Sequence, residues 1–306
     1  MQYKYLIMWV LFFSSAGVQG ETFWRNCGQP MDEHRPAERI IALNQHATEA
    51  LLTLGLGPKL IGTAYLDEAV KPELQQAYER IPVLSREYPS TEQVLLSRAD
   101  LLVAGFASAY RDMGIGSRQR WQQRGMQTYL FESVCAPQAV TVDSVFTDMR
   151  QLGRLTGTAD QAEAWVAAQS KRLAAIAATP PARAPRMLLW LREYELPYVA
   201  GCCGIGNLII EAAGGVNVGA DIDRAWGHLS WEAVLAARPE IILMVDSNWS
   251  PQRRKRQFLQ NSPYLDTLHG SGQLRLDTLS FSETVGGVRM IDGIDKAHRA
   301  VMAWQS

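Results

Sequence analysis

Two blocks of alternating strand and helix signals, separated by a long helical stretch, constrain the fold of this chain most strongly. In the first block, the predicted strands are residues 39–44, 59–63, 100–105 and 127–131, and the predicted helices are 48–54, 91–98 and 117–124. In the second block, the predicted strands are 186–191, 241–245 and 273–276, and the predicted helices are 207–213 and 289–304. Each block therefore predicts a parallel sheet covered by helices.

The stretch between the blocks carries no strand signal. From Thr141 to Leu155 the apolar residues recur at helical spacing, Gly157 supplies a stop, and Thr158–Gln161 has the pattern of a capping box that begins a second helix ending near Ala178. We expect an α/β protein of two doubly wound, Rossmann-like lobes joined by a long helical spine; a single large doubly wound sheet is the alternative. The expected segments are a signal peptide (1–20), an N-terminal lobe (21–140), connecting helices (141–180) and a C-terminal lobe (181–306).

The N-terminus has the composition of a secretory signal. Lys4 is the only charge in the first twenty residues, an apolar run covers 6–13, and Val18 and Gly20 satisfy the small-residue rule for cleavage near Gly20. The alternative is a membrane anchor, but the apolar run is far shorter than the ~20 residues that a spanning helix needs. No cysteine directly follows the cleavage site, which argues against a lipid anchor. The sequence predicts a soluble, exported protein.

Charge and cysteine content limit the choice of partners and compartment. The formal net charge is −1, and nothing in that balance favours a nucleic-acid surface. Export permits disulfides among the four cysteines, and sequence alone leaves three pairings open. We prefer Cys27–Cys135, which pins an N-terminal arm to the first lobe. For the adjacent Cys202 and Cys203 three interpretations stay open: a vicinal disulfide, which is favoured, a thiolate site for a soft metal, or two small packed residues.

Four segments in order, at 40–57, 88–103, 198–218 and 229–243, resemble a known family. The chain is similar to the periplasmic proteins that capture cobalamin, ferric siderophores or haem for ABC importers. The resemblance implies a monomeric binding protein rather than an enzyme, with two lobes that close only slightly on the ligand. Its implied partners are a small-molecule metal chelate and the permease and ATPase of the importer.

The resemblance also implies a docking role for two carboxylates. In the family, one Glu on the top of each lobe contacts Arg residues of the membrane subunits, and the matching positions are Glu92 and Glu232. Each opens a predicted helix after a Ser or Thr, where a carboxylate is also favourable for the helix N-terminus itself. That local preference is the alternative explanation.

The ligand is expected at the carboxyl ends of strands from both lobes, where open α/β sheets bind their ligands. The candidate ligand-binding residues are His46, Tyr65, Arg86, Tyr88, Tyr110, Arg192, Tyr194, Cys202, Cys203, Trp226, His228, Trp249 and Glu283. Aromatic residues on loops suit a large, flat, partly apolar ligand, and Arg86 and Arg192 are suited to pair with its carboxylates.

A metal ligand set is the remaining hypothesis from the residues. His46 and His228 fall on predicted cleft loops of different lobes, and with Glu283 or a thiolate they form a candidate site for zinc or for the metal of a chelate. A lone histidine that is hydrogen-bonded within the fold is the alternative. No intrinsic cofactor is expected. The competing functions are a direct zinc or free-metal carrier and, from another class, an exported zinc metalloenzyme.

Overall fold

The computed structural model describes residues 24–32, 35–135, 139–270 and 274–305. The predicted signal peptide and its cleavage site at Gly20 lie outside the described residues. Within those ranges, no helix combines the length and the apolar character that crossing a bilayer requires.

An N-terminal hairpin precedes the first lobe. It pairs β1 (Trp24–Asn26) with β2 (Gln29–Met31) in antiparallel register. The two turn residues, Cys27 and Gly28, both have positive φ, as a tight two-residue hairpin requires. The predicted Cys27–Cys135 disulfide is confirmed, with a Cα–Cα distance of 5.2 Å. It ties the hairpin to the first lobe.

The first lobe is an entirely parallel five-stranded sheet with the strand order β5-β4-β3-β6-β7. Its strands are β3 (Ile40–Ala42), β4 (Leu60–Ala64), β5 (Val83–Ser85), β6 (Leu101–Ala104) and β7 (Gln127–Leu130). Its helices are α1 (Gln45–Thr53), α2 (Gln75–Tyr78), α3 (Thr91–Ser97) and α4 (Arg118–Gln122). The winding direction reverses between β3 and β6, so the loops after these two strands border a crevice of the kind that binds ligands in such sheets.

Two helices connect the sheets, α5 (Val142–Thr156) and α6 (Ala159–Ala177). Gly157 ends α5 in the left-handed conformation, as predicted. The predicted capping box at Thr158 is wrong, because the Thr158 side chain makes no capping hydrogen bond and its hydroxyl lies 2.9 Å from that of Thr156. The helix nevertheless begins where the pattern placed it.

The second lobe contains a mixed sheet. Its strands are β8 (Arg186–Arg192), β9 (Tyr198–Ala200), β10 (Val216–Asn217), β11 (Trp226–His228), β12 (Ile241–Asp246) and β13 (Arg275–Ser280). The strand order is β11-β9-β8-β12-β13, with β10 beside the start of β8. The helices are α7 (Ile205–Ala212), α8 (Trp231–Ala237), α9 (Gln252–Gln260), α10 (Tyr264–Gly270) and α11 (Met290–Gln305). The predicted fold class, two α/β lobes joined by helices, is confirmed.

One strand of this lobe departs from the parallel arrangement expected from the sequence. β9 runs antiparallel to β8, with Arg192 opposite Tyr198. The connection between them, residues 193–197, is too short for the crossover that a parallel neighbour needs. The hairpin consequently places the side chains of the 193–197 turn beside the end of β8.

A continuous apolar core joins the two lobes to the connecting helices. One cluster of buried side chains includes Leu51 of α1, Leu152 of α5, Leu189 of β8 and Ile294 of α11. Folding removes the core-facing sides of both sheets from water. The two lobes therefore share one hydrophobic core with the connecting helices.

Candidate functional site

The two lobes meet along a seam of polar contacts at the carboxyl ends of their strands. Asp67, which follows β4, accepts a hydrogen bond from Asn248 on its backbone oxygen (2.6 Å) and one from the Trp249 indole on its carboxylate (3.3 Å). Asn248 and Trp249 follow β12 of the second lobe. The loops that carry candidate ligand residues in the two lobes are thus held face to face.

An ion-pair cluster, which we call the interlobe clamp, lies deeper in the seam and consists of Glu49, Glu68 and Arg289. The Arg289 guanidinium pairs with both carboxylate oxygens of Glu49, lies 3.4 Å from Glu68 Oε1 and donates to the Ala69 carbonyl at 2.7 Å. The Glu49 side chain is 1% exposed and that of Arg289 is 12% exposed. Burial works to lower the pKa of Arg289, but the two carboxylates outweigh it and raise the pKa. The clamp joins α1 of one lobe to the start of α11 in the other.

Tyr65 and Tyr88 form an aromatic wall on the first lobe. Their rings stack with centroids 4.8 Å apart and an interplanar angle of 29°. The Tyr88 hydroxyl accepts a hydrogen bond from Asn44 (3.2 Å) and lies 2.7 Å from the Ser108 hydroxyl, which fixes the ring. Tyr65 has a φ of 54°, a left-handed conformation that is strained for a residue with a bulky side chain. Such strain is concentrated at functional sites.

Arg192 and Trp249 form the facing wall on the second lobe. The Arg192 guanidinium lies 4.0 Å from the centroid of the Trp249 ring, and its Nη1 donates to the Tyr194 hydroxyl at 2.5 Å. Burial raises the pKa of Tyr65, and the charge of Arg192 acts in the opposite direction.

An open pocket of about 690 Å³ extends from Arg192 along the second lobe. Its lining residues are Arg192, Tyr194, Glu195, Leu196, Tyr198 and His228. The His228 ring lies 4.9 Å from Tyr198 and 5.6 Å from Tyr194, and its Nδ1 is 3.3 Å from the Leu196 carbonyl oxygen. A pocket of this size lined by aromatic rings with a few polar groups is typical of small-molecule sites.

His46 lies inside the seam rather than on the pocket wall. It is 3% exposed, and its ring packs edge-on against Phe106 and Phe131, with centroids at 4.5 and 5.4 Å. A side chain at Gly105 would collide with this ring, so only glycine fits there. Burial lowers the pKa of His46 to about 4, which keeps the imidazole neutral at pH 7. His46 is therefore a packing residue between the lobes.

Of three further candidates, Tyr110 and Trp226 take positions that the sequence did not predict, whereas Arg86 lies directly after a strand, as expected. Tyr110 is buried in the core of the first lobe, where its hydroxyl donates to the carbonyls of Leu102 (2.6 Å) and Tyr129 (3.1 Å); its placement in the cleft is wrong. Trp226 is half-buried in β11 and its ring packs over Gly206 of α7. Arg86 is exposed in the turn that follows β5.

The proposed metal set of His46, His228 and Glu283 is not assembled. Glu283 is 5% exposed and already engaged, because it accepts from the Ser280 amide at 2.8 Å and pairs with Lys296 at 2.6 Å. Throughout the described ranges, no group of three or more His, Cys, Asp or Glu side chains is placed to hold a metal ion. The physical reason is that the three side chains have separate partners. His46 is packed among aromatic rings, Glu283 is paired with Lys296, and His228 lies against Tyr198.

Cys202 and Cys203 are joined as a vicinal disulfide in the turn between β9 and α7. The Cys202 amide donates to the Ile222 carbonyl at 3.0 Å, and the Cys203 carbonyl accepts from the Val140 amide at 3.0 Å. Val140 immediately precedes the connecting helices, so this turn contacts the chain between the lobes. Neither cysteine is among the residues that line the 690 Å³ pocket.

Glu92 and Glu232 occupy matching positions in the two lobes. Both are exposed in the first turn of a helix, α3 and α8, and each helix leads into a central strand of its sheet. The helix N-termini are capped by the hydroxyls of Ser90 and Ser230, each of which accepts a backbone hydrogen bond at 3.1 Å. Because these helices run back along strands, both carboxylates lie at the carboxyl edges of the sheets, on the same side as the cleft.

Several residues of the site were not predicted from the sequence. They are Asp67, Glu195, Leu196, Tyr198 and Asn248. For Tyr198 a signal was present, because Leu196-Pro-Tyr198-Val alternates weakly after a polar turn and thus fits a short hairpin strand. Asp67 and Asn248 carry no local signal, because their role arises only from the meeting of two lobes.

The chain was compared with known proteins. Residues 40–268 match the model of the family described as periplasmic binding protein. The cobalamin-binding protein of Halobacterium salinarum is 27% identical over 214 residues, which cover 67% of this chain and 53% of that protein. The match thus spans about half the length of that relative. The vitamin B12-binding protein of Vibrio cholerae is 25% identical over 208 residues, which cover 68% of this chain and 70% of that protein.

Solved structures share the fold. A periplasmic binding protein from Veillonella parvula superimposes with a TM-score of 0.81 at 26% identity and covers 91% of this chain and 96% of its own. At lower identity, an Fe3+-hydroxamate transport protein from Saccharomonospora viridis (TM-score 0.74, 21%; 91% of this chain, 98% of its own) and a haem-binding protein from Roseiflexus (0.69, 22%; 88% and 100%) show the fold alone. The two-lobed architecture, the cleft between the lobes and the family match agree. The chain belongs to the periplasmic binding protein family.

Proposed function

We propose that this protein is the soluble periplasmic component of an ABC importer, which captures a metal chelate between its lobes and delivers it to a membrane permease. The chelate classes are corrinoids, ferric siderophores and haem. The predicted signal peptide and the family membership support the periplasmic address. The names of the two curated relatives, both cobalamin binders, support a corrinoid as the first ligand to test.

The opposed walls of the cleft are the observation that carries the proposal. Tyr65 stacked on Tyr88 offers one aromatic surface, and Trp249 beneath the Arg192 guanidinium offers another. Flat macrocycles gain stacking and apolar burial from such surfaces. The Arg192 guanidinium over Trp249 supplies paired donors for carboxylate or amide oxygens at the rim of the ligand. The adjoining pocket, with His228 at its edge, accommodates the substituents.

A free-metal carrier is the second candidate, and the geometry does not favour it. Zinc in proteins takes about four ligands drawn from Cys, His and carboxylates. The four cysteines are paired in disulfides, and His46 and Glu283 are committed to packing and to ion pairing. The geometry therefore supports capture of a chelate over coordination of a bare metal ion.

Titration of the purified mature protein with cyanocobalamin, haemin, a ferric hydroxamate and Zn²⁺ tests the proposal. We expect one chelate to bind at one equivalent, and we expect Trp249→Ala to weaken that binding by about tenfold or more, because an aromatic surface is lost from the contact. Trp304→Ala is the matched control, since Trp304 also lies under a guanidinium, that of Arg183 at 4.5 Å, but on the C-terminal helix. Stoichiometric zinc binding without any chelate, or equal effects of the two substitutions, would contradict the proposal.

A further inference from the structure

Lys255 is a fully buried lysine that no part of the proposed ligand contact uses. It lies on α9, and its side chain is 0% exposed. Burying an ammonium group costs several kcal/mol unless it is paired and hydrogen-bonded. An apolar side chain of similar length would avoid that cost, so the ammonium itself requires an explanation.

All three N–H donors of the Lys255 ammonium have acceptors. They donate to the Val245 carbonyl (2.8 Å), the Ser250 carbonyl (3.0 Å) and the Ser250 hydroxyl (2.6 Å). Glu193 lies 3.5 Å from the same nitrogen. The geometry leaves no donor for a ligand, which excludes direct binding through Lys255.

These acceptors lie in the two segments that build the second wall of the cleft, which are the end of β12 with the turn that follows it and the residues just after β8. Val245 and Ser250 flank the turn that presents Trp249, and Glu193 directly follows Arg192. Ser250 bridges the two loops, because its hydroxyl contacts the Glu193 carboxylate and also donates to the Leu191 carbonyl at 3.3 Å. The buried Lys255 ammonium therefore holds the turn that carries Trp249 directly, and it holds the residues after β8 through Ser250 and Glu193.

The charged residues near the Lys255 ammonium are Glu193, Arg254, Asp246 and Arg192. Glu193 faces the ammonium from the end of β8 and is also 3.3 Å from Arg254. Asp246, at the end of β12, accepts from the Gln252 amide at 2.7 Å and fixes the start of α9. Arg192, the next cation, points away to the face of Trp249. Arg192 is thus the cation of this group that contacts the cleft wall, whereas Arg254 and Lys255 lie beside Glu193.

We infer that Lys255 is a positioning residue of the ligand site, which sets the Arg192–Trp249 wall by fastening the loops at 192–197 and 247–251. This inference rests on the proposed function insofar as it concerns ligand affinity. The ordering of the loops is independent of any ligand and is tested separately.

Hydrogen exchange of the protein without added ligand tests the ordering. Lys255→Met keeps the length of the side chain and removes the ammonium, and Lys296→Met, which removes a partly exposed lysine on α11, is the matched control. We expect exchange in peptides covering 192–197 and 247–251 to accelerate about tenfold or more in Lys255→Met, while first-lobe peptides stay within about twofold of the wild type. Unchanged exchange in the two loops, or uniform acceleration across the chain, would refute the positioning role.

A double-mutant cycle with cyanocobalamin as the probe tests the effect on binding. Lys255→Met should weaken affinity about tenfold, and most of that loss should vanish when it is introduced into Trp249→Ala, because the wall that Lys255 positions is then already gone. Equal losses in both backgrounds would show that Lys255 acts only through general stability. If Lys255→Met does not fold, Ser250→Ala, which deletes one acceptor, carries the same measurements.

The outcomes separate this inference from the proposed function. If the wild-type protein binds haemin or a ferric hydroxamate instead of cyanocobalamin, the cycle is measured with that chelate; if it binds none of them, the proposed function fails and with it the affinity role of Lys255. Hydrogen exchange still decides whether Lys255 orders the loops. A wild-type protein that binds cyanocobalamin, with additive effects in the cycle, leaves the proposed function intact and overturns the inference.

Discussion

Protonation of His46 should destabilise the protein in mild acid. The imidazole is enclosed by Phe106, Phe131 and the backbone at Gly105 and Gly287, in the seam between the lobes. Burial lowers its pKa from 6.5 to about 4. Between these two values the unfolded chain binds a proton that the folded protein excludes. The free energy of unfolding therefore falls as the pH falls through this window, and His46 contributes its full stabilisation only above pH 6.5.

The size of this effect follows from the two pKa values. One pKa unit corresponds to about 1.4 kcal/mol, so the complete contribution of His46 is about 3 kcal/mol. At pH 5 the unfolded histidine is almost fully protonated and the folded one is largely neutral. Linkage then gives a loss of about 2 kcal/mol at pH 5 relative to pH 8.

This pH dependence of the free energy of unfolding can be measured by urea unfolding of the wild type and of His46→Gln at pH 8, 6.5 and 5. The variant should be less stable at pH 8 because packing is lost, but its stability should decline by about 2 kcal/mol less between pH 8 and pH 5. Other titrating groups, such as Asp148, whose pKa is raised by burial, affect both proteins alike. Parallel pH profiles for the wild type and His46→Gln would refute the reasoning.

Three other predictions have defined outcomes. Arg289→Met leaves the buried Glu49 carboxylate of the interlobe clamp unpaired and should lower the free energy of unfolding in urea by about 3–5 kcal/mol. Arg183→Met, which removes an exposed guanidinium from an ion pair, should barely move the urea midpoint. Equal shifts of the midpoint would contradict the role of the clamp. Glu92→Lys and Glu232→Lys should abolish uptake in vesicles carrying the importer and leave cyanocobalamin affinity within about twofold, because like charges then meet the expected Arg partners; normal uptake by both would remove the docking assignment. Cys27→Ser should lower the free energy of unfolding by about 2–4 kcal/mol through loss of a disulfide that closes a loop of over a hundred residues, and an unchanged urea midpoint would count against it.

The central strands were predictable because their information is local. Ile40–Ala42 and Leu101–Ala104 are short, fully buried apolar runs, as expected for strands covered on both faces. The strands at Tyr198–Ala200 and Trp226–His228 were missed because they are not continuous buried apolar runs: Tyr198 is half-buried, and the second strand contains Gly227 and an exposed histidine. Their existence depends on pairing with each other and with the end of β8.

The candidate site was predicted by region more accurately than by side chain. Tyr65 and Tyr110 both follow a strand in the sequence, and nothing local distinguishes them. The 3-10 turn at Ala107–Tyr110 folds the ring of Tyr110 back into the core, whereas the left-handed backbone of Tyr65 places its ring against Tyr88. His46 and Glu283 were assigned to metal binding because sequence shows the chemistry of a side chain and not its partners.

The interlobe clamp bears on how binding energy is used. Because Arg289 and Glu49 hold the lobes together with the protein's own charges, a ligand entering the cleft does not have to supply the free energy of bringing the lobes together. For the proposed binding role we therefore expect little conformational penalty on affinity. For the proposed importer this has a consequence for recognition. For this proposed role we expect the backbone of the loaded protein to differ little from that of the empty one, so that a permease would distinguish them by the exposed face of the ligand.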